Sequence, residues 1–275
     1  MSRKELQRRL AAARDAVESL GPALLCLRSR KTYARYLSGD PYKTSADRAA
    51  EAWVVEYLTS FYPADAVLAE EAFDQKRTAW TAPSAYWTVD ALDGTASFVD
   101  GFDGFCIQVA YVVDGALVLG VVHQPARSTT FWALSGAGAY RQGPRGKAQR
   151  LKLKAVRNWP RRPVFIDSTP PTGPAGSLLA LRGGRFLECG STGVKICRVA
   201  EGKAQVLAKS NRYKLWDIAP GHLILSEAGG RLGLWDGSEV SYRSNSVYLP
   251  NMLAAPRGLF PLLVDELARV KSEEH

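Results

Sequence analysis

The chain has 275 residues, 46% hydrophobic and 23% charged, so it is long and apolar enough to bury a core without metal or disulfide staples. Its 24 Gly and 15 Pro are near average frequency, which excludes collagen-like and low-complexity chains. The outlying quantity is the net charge of +9, from 36 Lys and Arg against 27 Asp and Glu, which points to a polyanionic partner: nucleic acid, an acidic membrane or a phosphorylated small molecule.

Leu6, Leu10, Ala13, Val17, Leu20 and Leu24 recur at three- and four-residue steps. They predict an amphipathic opening helix, kinked or interrupted at Gly21-Pro22. A second helix is predicted from Ser45 or Asp47 through Phe61, with Ser or Asp as its cap. Residues 86–93 read as a strand ending in a carboxylate-rich turn. Residues 107–125 read as two apolar strands joined at Asp114-Gly115, a strong hairpin signal. Residues 129–134 and 136–143 add a strand pair. A basic, Pro-containing stretch follows, then VFIDST and alternating helix and strand segments. The expected boundary falls near residues 143–160. It divides an α+β lobe, 1–145, from an α/β lobe, 146–275.

Charge follows this division. Residues 1–36 carry a net +6, residues 37–140 a net −8 and residues 141–275 a net +11. The four cysteines form no CxxC pair, so a structural zinc site is not expected. The opening segment has charges throughout and no apolar signal-peptide core. No apolar run reaches the length of a membrane span. These features predict a cytoplasmic protein with free thiols and no membrane partner; Cys106 and Cys197, among apolar neighbours, are expected to be buried and inert.

Several motifs fail. GPRGKA at 143–148 is too short for a phosphate-binding P-loop, and GAGAYRQG lacks the strand-to-helix setting of a dinucleotide fold. There is no GxSxG elbow, and only three His. Chemistry therefore rests on carboxylates.

Three segments place acids beside turns or helix starts: Glu70-Glu71, Asp90 with Asp93-Gly94-Thr95, and Asp217. Each has an ordinary reading alone: a solvated helix-end pair, a turn, and a helix cap. In the middle segment a strand end turns Asp90 and Asp93 towards one point, with the Leu92 carbonyl between them. Such hard oxygens repel one another unless a cation is present. Gly94 permits a tight turn. A helix opening at Thr95 aims free N–H groups at the same place and can hold a phosphate. Two or three Mg²⁺ beside a helix N-terminus make a site for phosphoryl transfer to water.

WTVDALDGTASFVDGF resembles the signature of the inositol monophosphatase superfamily, whose usual core is Asp-Pro-Ile-Asp-Gly-Thr. LAEEAF, WDIAPGHLILSEAGG and KTSADRAAE resemble three further elements of that family, in the same order, over residues 43–230. The resemblance implies an α/β/α/β/α layered fold and a Mg²⁺-dependent, Li⁺-sensitive phosphomonoesterase acting on a small phosphorylated substrate. It implies metal ligation by Glu70, Asp90, the Leu92 carbonyl, Asp93 and Asp217. It implies that Thr95, with Asp47 or Glu70, orients and deprotonates the attacking water, and that the Gly94–Thr95 backbone meets the phosphate. It also implies a homodimer. Ala91 stands where Pro is usual, Leu92 for Ile, Ser97 for Asn, and Pro220 for Ala near the first turn of a helix, where Pro is tolerated.

Within that superfamily, GSTGVKICRVAEGKAQ is similar to the bacterial 3′(2′),5′-bisphosphate nucleotidases, which carry Lys where Lys195 falls. His222 fits the same subgroup. Inositol phosphatases place a Glu shortly before the Asp217 position, whereas AKSNRYKL holds no acid. The resemblance thus implies 3′-phosphoadenosine 5′-phosphate as substrate, with Lys195, Lys209, Arg212 and Lys214 as candidates for a second phosphate and Asp217 near the substrate. Inositol 1-phosphate, fructose 1,6-bisphosphate or histidinol phosphate are the alternatives. From another class, the basic flanks raise a nucleic-acid-binding protein on a phosphatase-like scaffold. The acidic middle segment makes that partner the weaker expectation.

Overall fold

The computed structural model describes residues 1–34, 42–76 and 80–273. Its helices are α1 (Arg3–Arg30), α2 (Ser45–Phe61), α3 (Glu70–Lys76), α4 (Thr95–Val99), α5 (Gly173–Leu181), α6 (Thr192–Ala200), α7 (Leu215–Glu227) and α8 (Phe260–Glu273). Its strands are β1 (Ala66–Ala69), β2 (Ala85–Asp93), β3 (Cys106–Val113), β4 (Ala116–Gln124), β5 (Thr129–Leu134), β6 (Gly138–Gln142) and β7 (Gln149–Leu151), then β8 (Val164–Asp167), β9 (Arg185–Glu188), β10 (Leu207–Lys209), β11 (Tyr213–Lys214), β12 (Gly230–Gly233), β13 (Tyr248–Leu249) and β14 (Met252–Pro256).

Strands β1 to β7 form one sheet in sequential order, antiparallel except for the β1–β2 pair. Side-chain alternation assigns its two faces. On β3, Ile107, Val109 and Tyr111 join the core shared with α1 and α2. Cys106, Ala110 and Val112 join a second core with α6 and α7. The β3–β4 turn has the predicted two residues, Asp114 and Gly115, at φ 52° and 79°. Positive φ at both is what a tight hairpin turn requires.

The chain leaves the large sheet after β7 and next forms β8. A smaller sheet, ordered β10–β14–β12, covers the other side of α6 and α7. Alternation works again: Met252 and Ala254 face the second core, and Leu253 and Ala255 a third, closed by α5 and α8. The layers run α1–α2, large sheet, α6–α7, small sheet, α5–α8, the expected α/β/α/β/α order.

One expectation is corrected. Gly21-Pro22 neither ends nor divides the opening helix, which continues to Arg30. Pro22 forfeits one backbone hydrogen bond, but Ala13, Val17 and Leu20 before it and Leu24 after it are all buried, so packing on both sides holds the helix together. Gly21 has its own role. A Cβ there would lie 2.8 Å from His123 Nε2, so the missing side chain lets α1 approach β4.

Candidate active site

The parallel β1–β2 pair builds the first part of the site. Ala69 pairs with Val89, so Glu70, where β1 gives way to α3, and Asp90, still on β2, follow at the same level. Helix α7 brings the third acid. Asp217 is the third residue of that helix, and its Oδ2 accepts the Lys214 backbone N–H at 2.9 Å. Glu70, Asp90 and Asp217 each offer an oxygen within 4.8 Å of the other two. Burial, then the charges of Glu70, Asp93 and Asp217, pushes the Asp90 carboxyl well above its ordinary range. Burial, then Glu70 and Asp93, does the same to Asp217. Three hard oxygen donors this close, two of them with raised pKa values, fit a divalent cation, which would favour the charged forms of Asp90 and Asp217.

Asp93 lies beside this trio but is not one of the three. Its Oδ2 accepts the Ser191 hydroxyl at 2.6 Å, the Gly193 N–H at 2.7 Å and Gln108 Nε2 at 3.2 Å. It is tied to the start of α6, where Ser191 is also the N-cap, accepting from Val194 N–H at 3.0 Å. Burial raises its pKa first, and the Ser191 and Gly193 bonds pull it back.

The Asp93-Gly94-Thr95 turn depends on Gly94, at φ 90°. A Cβ there would sit 2.6 Å from the Gly104 carbonyl, so backbone packs on backbone. Thr95 opens α4, as predicted. Its hydroxyl lies 2.8 Å from Asp47 Oδ1 and 3.1 Å from the Leu92 carbonyl, both acceptors for its one proton. Asp47 is the third residue of α2. Its Oδ2 accepts the Thr44 N–H at 2.8 Å and the Thr44 hydroxyl at 2.7 Å. Burial raises its pKa, while these hydroxyl bonds oppose the rise.

The basic candidates separate. Lys195 is 1% exposed, its Nζ donating to Asp167 at 3.1 Å and to the Ser168 hydroxyl at 2.7 Å. Lys209 reaches the same Asp167 oxygen at 2.8 Å. Burial, then Lys209, lowers the Lys195 pKa. Arg212 stacks on the Tyr248 ring, 3.9 Å from its centroid. Lys214 reaches the acids, 3.0 Å from Glu70 and 3.1 Å from Asp74. His222 is enclosed, with Nδ1 2.9 Å from the Tyr242 hydroxyl, and burial lowers its pKa to about 4.

Sequence reasoning missed four residues. Lys43 bridges Glu71 at 2.8 Å and Asp74 at 2.9 Å. Asp167 and Ser168 organise the two lysines. Gln108 donates to Asp90 at 3.3 Å, Asp93 at 3.2 Å and the Asp217 carbonyl at 3.3 Å. A sequence signal for Gln108 does exist: it is a lone amide in the apolar run of β3. The four cysteines are free, and burial pushes Cys106 and Cys197 well above the ordinary thiol range. Among the described residues no helix is long and apolar enough to cross a membrane.

Comparison with known proteins agrees with this arrangement. The sequence model of the inositol monophosphatase family matches residues 5–271. A Thermotoga maritima fructose-1,6-bisphosphatase/inositol-1-monophosphatase is 30% identical over 235 residues, 84% of this chain and 82% of that protein. The 3′(2′),5′-bisphosphate nucleotidase CysQ of Salmonella typhimurium is 31% identical over 222 residues, 79% and 85% respectively. In structure, inositol monophosphatase II of Staphylococcus aureus superposes with a TM-score of 0.79 at 23% identity, covering 96% of this chain and 95% of that one. The chain belongs to the inositol monophosphatase family and is a metal-dependent phosphoric monoester hydrolase.

Proposed function

We propose that this site uses two or three Mg²⁺ ions to hydrolyse a doubly phosphorylated nucleotide, of which 3′-phosphoadenosine 5′-phosphate is the type. Glu70, Asp90, the Leu92 carbonyl, Asp93 and Asp217 hold the metals. When bound, they supply Lewis acidity and lower the pKa of water. The chain supplies the rest. Thr95 orients the attacking water through its hydroxyl oxygen, and Asp47 Oδ1, 2.8 Å away, receives the proton that Thr95 relays. The raised pKa of Asp47 makes it a better acceptor than an exposed Asp. The Gly94–Thr95 backbone meets the phosphate. The observation carrying this reading is that the acid trio and the Thr95–Asp47 pair flank one turn, residues 90–95.

The substrate reading rests on charge. Lys195 and Lys209 share one carboxylate, Asp167, leaving one positive charge behind the Ser168 hydroxyl, which lines a groove. Lys195 therefore acts through Ser168. The CysQ relative and the fructose-bisphosphate/inositol-phosphate relative stand at near-equal identity, so turnover decides. At saturating Mg²⁺, the bisphosphate nucleotide is expected to exceed inositol 1-phosphate and fructose 1,6-bisphosphate in kcat/KM. Inositol 1-phosphate ahead by about tenfold would overturn the nucleotide reading. Li⁺ inhibition, a homodimer, a cytoplasmic location and a two-lobe division near residue 145 belong to the same proposal.

A further inference from the structure

Glu201 follows α6 and is 6% exposed at its side chain, yet three cations converge on it. Arg198 Nη1 lies 2.8 Å from Oε2, Lys203 Nζ 3.1 Å from Oε1 and Arg141 Nε 3.0 Å from Oε1. The Arg141 approach is ionic only, since its Nε makes no hydrogen bond. One carboxylate answers three cations, so two positive charges stay uncompensated. The two arginines are only 29% and 19% exposed, so water screens them incompletely. Arg198 Nη2 has just a long bond, 3.4 Å, to Gln124 Oε1. Among the described residues the Arg141 Nη groups have no acceptor.

All three cations line a groove of about 830 Å³. Glu70, Asp90 and Asp217 do not line it; it meets the catalytic turn only at Gly94 and beyond. The acids that do line it come from other segments. Asp103 already pairs with Arg127 at 3.3 Å, and Asp100 and Glu188 sit after α4 and at the end of β9. Positive charge is thus concentrated where β6, α6 and the turn after α6 meet. The groove also has an apolar wall: Phe102 is 66% exposed and Leu187 38% exposed.

We propose that Arg141, Arg198 and Lys203 form an anion site, separate from the metal carboxylates, for the phosphate dianion of a phosphorylated small molecule. The match is in charge and shape. Two uncompensated charges meet a dianion, and the arginine forks offer paired N–H groups to phosphoryl oxygens. The proposal is independent of the substrate reading above, because its test needs no catalysis.

The test is calorimetric titration of inorganic phosphate, and of AMP, into EDTA-treated protein at low ionic strength. Wild type is expected to bind one equivalent saturably. Arg141→Gln and Lys203→Ser are each expected to weaken binding about tenfold or more, as loss of a charge-assisted bond does. Lys203 is 52% exposed, so its variant keeps the fold even where loss of Arg141 unsettles Glu201. Asp217→Asn is expected to leave this binding intact. Absence of saturable binding by wild type, wild-type affinity in both variants, or loss of binding in Asp217→Asn alone would overturn the site. Steady-state kinetics of Lys203→Ser then identifies the source of the anion. A KM raised only for a bisphosphorylated substrate makes it the substrate's second phosphate; an unchanged KM makes it a separate ligand. Either result keeps the site.

Discussion

Helices α2 and α7 begin alike and end in different chemistry. Each has Asp as its third residue, and each Asp folds back on its cap's backbone N–H: Asp47 on Thr44 at 2.8 Å, Asp217 on Lys214 at 2.9 Å. What differs is the remaining carboxylate oxygen. In Asp47 it meets the Thr95 hydroxyl. Asp217 faces Glu70 and Asp90. Burial raises both pKa values. The next influences lower that of Asp47, through hydroxyl donors, and raise that of Asp217, through neighbouring acids. A local helix motif positions a carboxylate. Its tertiary neighbours decide whether it is a hydrogen-bonded base or a cation ligand.

The largest expected effect comes from removing the charge at Asp217. Asp217→Asn keeps an oxygen for the Lys214 N–H, so the helix start survives. Activity should fall by two to three orders of magnitude, roughly the several kcal/mol that a catalytic metal supplies. In EDTA the same variant should melt higher than wild type, because it removes one of three mutually repelling acids. A lower melting temperature in EDTA would erase the contrast drawn between the two helices.

Asp47→Asn and Thr95→Val test the other side. Both should lower kcat by about two orders of magnitude, as loss of a positioned proton acceptor does. Neither should alter the Mg²⁺-induced rise in melting temperature, since neither removes an acid of the trio. Loss of that thermal shift would make Asp47 a metal ligand after all.

A third buried acid shows how little a helix N-terminus achieves alone. Glu51 accepts the Glu71 N–H at 2.6 Å and the Ala72 N–H at 2.8 Å, at the first turn of α3. Burial still raises its pKa from 4.5 to about 7, with Glu71 and Glu70 adding to the rise. A raised carboxyl pKa means that the folded protein binds the extra proton. Its contribution to stability is full below pH 4.5 and is lost as pH rises through about 7. In EDTA, wild type should therefore lose about 3 kcal/mol relative to Glu51→Gln across that window. Denaturant melts at both ends measure it, and a constant difference would contradict the burial argument.

The parts of the fold and site that obey local rules are legible in the sequence. Period-two alternation marks β3 and β4, and Asp114-Gly115 marks their turn. The carboxylates are legible through the resemblance to a known family, whose short motifs carry them in order; each alone reads as a helix end, a turn or a cap. What fails needs tertiary information. Gly21-Pro22 reads as a kink or an interruption unless the packing of the residues on both sides, which keeps the helix continuous, is known. Lys195 reads as a candidate for a second phosphate, but that Asp167 and Ser168 hold its ammonium is not legible. Asp93 sits correctly at the turn, but the start of α6, about a hundred residues later, claims one of its oxygens.

Gln108 belongs to the Asp217 side of the comparison, and its effect should be the smallest. Its Nε2 donates to Asp90, Asp93 and the Asp217 carbonyl, and thus spans β2 and α7. Its Oε1 has no hydrogen-bond partner, and a Cβ on Gly193 would come within 2.3 Å of it. The amide is therefore wedged against α6, with only its donor end on the acids. Among the described residues it makes no hydrogen bond to Asp47 or Thr95. As a positioning residue behind the ligands, its replacement in Gln108→Ala should weaken metal affinity about tenfold. The readout is the Mg²⁺ concentration at half-maximal rate, with kcat at saturating Mg²⁺ nearly restored. A kcat that stays low at any Mg²⁺ concentration would place Gln108 in the chemistry itself, on the Thr95 side of the turn.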